Sequence, residues 1–167
     1  CNIYKQRTGW EGAYRLVSAA VPTPEQLQLP PACSRLTEFH QGLVMVTGPA
    51  GSGKSTTVAA LLDHVNSHRT DHIITVEDPI EYILTPKKCQ VTQREVGPHT
   101  KSFAAALRAA LRQDPDVVLV GEMRDLETIS IGISAAETGH LVFGTLHTSS
   151  AARTVARIMD VYPPNQR

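Results

Sequence analysis

Residues 48–55, Gly48-Pro49-Ala50-Gly51-Ser52-Gly53-Lys54-Ser55, constrain this chain more than any other stretch. They follow the pattern G-x-x-x-x-G-K-[ST], in which a short buried strand runs into a glycine-rich loop and the loop opens a helix. The flanks agree. Residues 43–47 (LVMVT) are a continuous apolar run, and Val58, Leu61, Leu62 and Val65 recur at i, i+3, i+4 and i+7 on one helical face. The amides of such a loop can curl around an anion only where the backbone accepts positive φ, a freedom that Gly51 and Gly53 provide. The helix then aims the positive end of its dipole at the same point. Gly48, Pro49, Ala50, Gly51, Ser52, Gly53, Lys54, Ser55 and Thr56 are therefore the candidate nucleotide-binding residues. Lys54 would meet the β/γ oxygens, and the Ser55 hydroxyl could ligate Mg2+.

Beyond the loop, strand and helix patterns alternate. Strands are expected at 43–47, 72–76, 89–93, 116–120 and 141–146. Helices are expected at 54–68, from the cap Ser102 to Arg112, along the stripe Leu126, Ile129, Ile133 and Ala136, and at 149–159. This alternation predicts an α/β fold with a mostly parallel sheet covered on both faces. Pro22, Pro24, Pro30 and Pro31 fall close together, and proline removes a backbone donor and fixes φ. The stretch 22–31 thus reads as an extended linker, separating residues 1–21 from a main domain at 32–167.

Composition narrows the function classes. The 16 basic and 16 acidic residues cancel, which disfavours a protein whose main task is to wrap nucleic acid by neutralising phosphates. Cys1, Cys33 and Cys89 have no C-x-x-C spacing for a zinc or redox site, and isolated cysteines fit a reducing compartment. The apolar runs fall well short of the ~20 residues that cross a bilayer. A soluble, cytoplasmic protein is expected. The chain opens on Cys1 and closes on Pro163-Pro164-Asn165-Gln166-Arg167, and is expected to be a fragment.

Phosphate-bound Mg2+ needs acidic partners, and hydrolysis needs a group that orients water. In an open α/β sheet, ligands gather at the carboxyl ends of the strands. Glu122 follows the strand at 116–120, and Glu77, with Asp78 and Glu81 behind it, follows the strand at 72–76. Glu77 and Glu122 are both candidate bases, and the spacing does not choose between them; Glu122 is also a candidate metal ligand beside Ser55. His147 follows the strand at 141–146 at the same edge and could sense a γ-phosphate. Arg94, Arg108, Arg112 and Arg124 are candidates for stabilising charge across a subunit boundary, with Arg108 and Arg112 expected on one helix face.

Four blocks resemble the secretion and type IV pilus ATPase superfamily: GPAGSGKSTT (48–57), HIITVEDPIEYI (72–83), LRQDPDVVLVGEMRD (111–125) and TGHLVFGTLHTSSA (138–151). In that family they are called Walker A, Asp box, Walker B and His box. Gln93-Arg94-Glu95-Val96 is similar to a further family segment, and FGTLHTSSAA and RIMDVYP look most like the pilus retraction branch. The resemblance implies a RecA-like ATPase core, truncated at its C-terminal end, with residues 1–21 as the tail of an N-terminal PAS-like domain. It implies ATP and Mg2+ as cofactors. It also implies a homo-hexamer at the cytoplasmic side of the inner membrane, a platform protein as partner and no nucleic acid. Tyr14-Arg15 matches a Phe-Arg turn of the family, although residues 16–20 depart from it. The activity so implied is ATP hydrolysis driving pilus retraction. The alternatives are a pilus assembly or type II secretion ATPase, a nucleic-acid motor, and a nucleotide-binding regulator without turnover, which the two acids argue against.

Overall fold

The computed structural model describes residues 1–14 and 20–163. Arg15 and Pro164, Asn165, Gln166 and Arg167 lie outside them. The chain begins with an antiparallel hairpin of β1 (Asn2–Gln6) and β2 (Gly9–Ala13), in which Asn2 faces Ala13 and Gln6 faces Gly9. Ile3, Tyr4 and Trp10 of this hairpin are exposed.

The stretch expected to be an extended linker is instead a turn seated on the main body. Leu27 N donates to Thr23 O, and Leu29 N donates to Pro24 O. Pro24 is buried, and Val21 and Leu29 pack against the first hydrophobic cluster. Pro31 opens the short helix α1 (Pro31–Arg35), where proline's missing N–H has no helical partner to lose. A 3-10 turn, Leu36–Glu38, follows. Four prolines thus mark turns and a helix start, because clustered apolar neighbours make folding back more favourable than extension.

The main body is a sheet of five parallel strands: β3 (Gly42–Thr47), β4 (His72–Glu77), β5 (Gln90–Glu95), β6 (Val117–Val120) and β7 (Leu141–Leu146). Their order is β3-β7-β6-β4-β5, every pair parallel. The register sets Thr47 beside Leu146, Gly144 beside Val120, and Val120 beside Val76. The central strands β6 and β7 are buried throughout, whereas the edge strand β3 is only half-buried.

The two faces of the sheet carry separate clusters. α2 (Lys54–His68) lays Val58, Leu61, Leu62 and Val65 on Ile73, Val117, Leu119, Leu141 and Phe143. The opposite face receives Ala106 and Leu107 of α3 (Phe103–Ala110), and Ile129, Ala135 and Ala136 of α4 (Leu126–Glu137). These pack on Val76, Val118, Val120 and Val142. The alternation of Val117 and Leu119 with Val118 and Val120 between the faces is the period of two of a strand. Each such buried aliphatic side chain contributes about 1.5–3 kcal/mol. α5 (Ala151–Val161) ends the described chain. Among the described residues no helix is long and apolar enough to cross a membrane.

Helix α3 stops at Ala110, short of the expected Arg112. Leu111 caps it, and Arg112 N and Gln113 N bond Ala109 O and Ala110 O in a tight turn that delivers the chain to β6.

Candidate functional site

The strand order decides which residues meet. Four strand ends lie side by side at the carboxyl edge of the sheet: β3 runs into the loop 48–53, β7 into His147, β6 into Gly121-Glu122, and β4 ends on Glu77. Ala50, Gly51, Gly53, Lys54, Ser55 and Thr56 form one wall of an open cleft there, and Glu77, Asp78, Glu81, Glu122, Arg124 and His147 form the other.

Gly51 and Gly53 have φ of 75° and 91°, the left-handed region that favours glycine. Gly53 is the N-cap of α2 and supplies no side-chain bond to the first turn. The caps of α3, α4 and α5 do: Ser102 accepts from Ala105 N, Asp125 from Thr128 N, and Ser150 from Arg153 N. The N-terminus of α2 therefore keeps its amides for an anion, with a lysine beside them. Lys54 is 9% exposed. Its ammonium donates to Gly48 O at 3.0 Å and Pro49 O at 2.9 Å, and lies 3.4 Å from His147 Nδ1. The loop thus holds the cation over its own mouth, by carbonyls whose bonds phosphate oxygens can replace.

A line of polar groups crosses the cleft from there. Lys54 can only donate, so His147 Nδ1 accepts and Nε2 carries the proton toward Glu122 Oε1, 3.3 Å away. The same oxygen takes Arg124 Nε at 2.5 Å. Arg124 is 73% exposed while Glu122 is mostly covered, so the pair is anchored on the glutamate. The next acid along is Glu77. Thr75 Oγ1 donates to its Oε1 at 2.7 Å, and Gln93 Nε2 to the same oxygen at 3.3 Å. Burial holds the Glu77 carboxyl above the usual carboxylate range, although these hydrogen bonds pull it down.

Gly121 lets the end of β6 lie tightly against the end of β4. A Cβ there would stand 3.0 Å from Val76 O and 3.1 Å from Glu77 Cα, and Gly121 N bonds Val76 O at 2.8 Å. Thr145 braces the turn from β7 by donating its hydroxyl to Gly121 O.

The donor set suits a nucleotide with Mg2+. Among the described residues no group of three or more His, Cys, Asp or Glu could hold a metal ion unaided. Mg2+ is commonly held by one or two carboxylates together with substrate phosphates, and Ser55 and Glu122 line the cleft as oxygen donors.

Of the four candidate arginines, only Arg124 lines the cleft. Arg94 Nη2 donates to His99 O, and Arg108 pairs with Glu127 on the solvent side. Arg112 lies past the end of α3, so it shares no helix face with Arg108. Sequence reasoning missed Thr75, Gln93 and Tyr82, whose hydroxyl lies 3.0 Å from Thr56 Oγ1. The available signal was the run QVTQRE, too polar for a strand whose sole task is to fill a core.

The profile of the family "Type II/IV secretion system protein" matches residues 23–164. The chain is 53% identical over 166 residues to the "Type IV pilus retractation ATPase PilT" of Pseudomonas aeruginosa, covering 99% of this chain and 48% of that protein. It is 51% identical over 166 residues to a "Twitching motility protein" of Neisseria gonorrhoeae, covering 99% and 44%. Among solved structures, that of the pilus retraction motor PilT with bound ADP superposes with a TM-score of 0.94 at 55% identity, over 98% of this chain and 48% of that one. The chain thus spans about half the length of the curated relatives it matches.

Proposed function

Since the chain belongs to the type II/IV secretion system protein family, we propose that it forms part of a ring-shaped, homo-hexameric motor that hydrolyses ATP with Mg2+ and drives type IV pilus retraction. Residues 32–167 act as the RecA-like ATPase domain and residues 1–21 as the tail of a PAS-like domain. The motor works on the cytoplasmic side of the inner membrane against a platform protein, without nucleic acid. Two relatives matched over 99% of the chain are named for pilus retraction and twitching, and one solved relative holds ADP.

The observation that carries this reading is the convergence of Lys54, His147, Glu122 and Glu77 on one cleft. Bound ATP supplies the anhydride to be cleaved, and Mg2+ the charge that steadies its oxygens. The amides of residues 48–55 and the Lys54 ammonium hold the phosphates, with Thr56 extending the cradle. Ser55 and Glu122 would hold the metal, and Arg124 pairs with Glu122 from the solvent side. Glu77 is the base: a carboxyl raised by burial takes up a proton from water more readily than an ordinary one. His147, poised between Lys54 and Glu122, contacts the γ-phosphate side. Arg94, Arg108 and Arg112, which lie outside this cleft, are the cations a ring can offer to a neighbour's cleft. Opening one such cleft releases two rigid bodies from each other, which is how a ring turns hydrolysis into motion.

Phosphate release from the full-length protein tests the reading. Lys54→Ala should abolish it. Glu77→Gln should lower it by roughly 10²–10⁴-fold while leaving nucleotide affinity in place. Undiminished release by Lys54→Ala would overturn the site.

A further inference from the structure

Gln93 projects from β5 into the region behind the cleft, and its whole amide is in use. Oε1 accepts from Leu84 N at 2.8 Å. Nε2 donates to Tyr82 O at 2.9 Å and to Glu77 Oε1 at 3.3 Å. Leu84 N–H can only donate and Tyr82 C=O can only accept, which settles the end of the amide that is oxygen. One side chain thus grips the acid and the strap 82–84 together. The strap is tied at its other side to the nucleotide loop's helix, through Tyr82 OH and Thr56 Oγ1 at 3.0 Å. Gln93, Glu77, Tyr82 and Ser55 line one small pocket beneath the cleft.

We propose, resting on the assignment of Glu77 as base, that Gln93 is a positioning residue for hydrolysis: it fixes the Glu77 carboxylate and couples its placement to the first turn of α2.

A comparison within the fold separates this role from simple loop anchoring. Asn66 fastens the same connection further along, donating to Thr85 O at 2.8 Å and accepting from Lys87 N at 3.0 Å. Its bonds do not touch Glu77. Both amides hold loop backbone, and only Gln93 adds a bond to the acid. That bond stabilises the charged form, so its loss moves Glu77 toward higher pH. The charged surroundings stay in place when Gln93 is changed: Asp78 and Glu81 in the loop, Glu95 opposite on β5, Glu122 and Arg124 after β6, Lys54 on α2 and His147 after β7.

The test uses the full-length protein and the near-isosteric Gln93→Met, with Gln93→Glu as a second variant and Asn66→Ala as the anchoring control. Gln93→Met should lower kcat by about 10- to 100-fold, the scale of a displaced catalytic group, with KM for ATP little changed. The acidic limb of its kcat profile should move to higher pH. Gln93→Glu should move the limb further, since it puts a second carboxylate against the first. Asn66→Ala should leave the limb where it is. Infrared titration of carbon-13 glutamate, with Glu77→Gln as the blank, should show Glu77 protonating at higher pH in both Gln93 variants. An unmoved Glu77 titration, or a wild-type kcat and acidic limb in both Gln93 variants, overturns the proposal. Full turnover by Glu77→Gln sinks the base assignment itself, and the infrared comparison reads the Gln93–Glu77 bond independently of that result.

Discussion

Glu77 is held in two ways at once. Thr75 and Gln93 donate to its Oε1, while burial strips water from the carboxylate and raises its proton affinity. A carboxyl raised in the fold contributes stability that is fully present below its unfolded value, about 4.5, and lost as pH rises through the folded value. At neutral pH the residue is therefore a burden on the fold, which its proposed role as base would explain. Glu77→Gln, which keeps an oxygen for both donors, should raise Tm at neutral pH. The gain should close as pH falls toward about 4.5, and thermal melts across that range check it. Identical melts at every pH would remove burial as the cause. Glu122 differs because Arg124 and His147 share its Oε1. The position of both acids was legible, since each follows an apolar strand run. Their difference in character was not, because the Gln93 amide that bonds Glu77 and the His147 ring that meets Glu122 come from other strands.

Helix boundaries follow from local chemistry wherever a side chain can close the first turn. Ser102, Asp125 and Ser150 each accept from the amide three residues on. Asp125 also takes the hydroxyl of the buried Thr128 at 2.9 Å. Asp125→Ala should cost about 1–2 kcal/mol, from the lost cap and the orphaned hydroxyl. Denaturant unfolding with an unchanged m-value would measure it. Helix α2 breaks this pattern by starting on Gly53 with no side-chain cap, and the motif announced that exception. The element-level errors share one cause. Proline at 22–31 excludes regular helix or strand, yet whether such a stretch extends or folds back depends on what Val21, Pro24 and Leu29 find to pack on. Likewise the apolar run Leu107, Ala110 and Leu111 resembles a helix to Arg112, while Asp116 accepts from His72 N at 2.8 Å and pulls the chain down to β6.

At the scale of the molecule, the sheet carries its site at one end and its two cores on opposite faces, so a ligand that ties the loop to β4, β6 and β7 tightens the whole body. Nucleotide that binds only the folded form should stabilise it. At 100 times its Kd the gain is about 2.7 kcal/mol. Thermal shift of the full-length protein with ADP and Mg2+ should show this, and Lys54→Ala should remove most of it. A shift of equal size in Lys54→Ala would place the nucleotide elsewhere.

Local pattern alone determined the loop, the strands and helices around it, and the acids and histidine at their ends. Apolar periodicity, glycine tolerance and capping act over a few residues and can be read in order along the chain. The tertiary structure alone decided that β7 and β6 lie between β3 and β4, which sets Lys54 beside His147, 93 positions away in the chain, and Glu122 beside that. It also decided that β5 delivers Gln93 to Glu77. Pairing among parallel strands is a choice among apolar runs of nearly equal appearance. It is settled by how the helices on both faces fill space together, which no short stretch of sequence encodes.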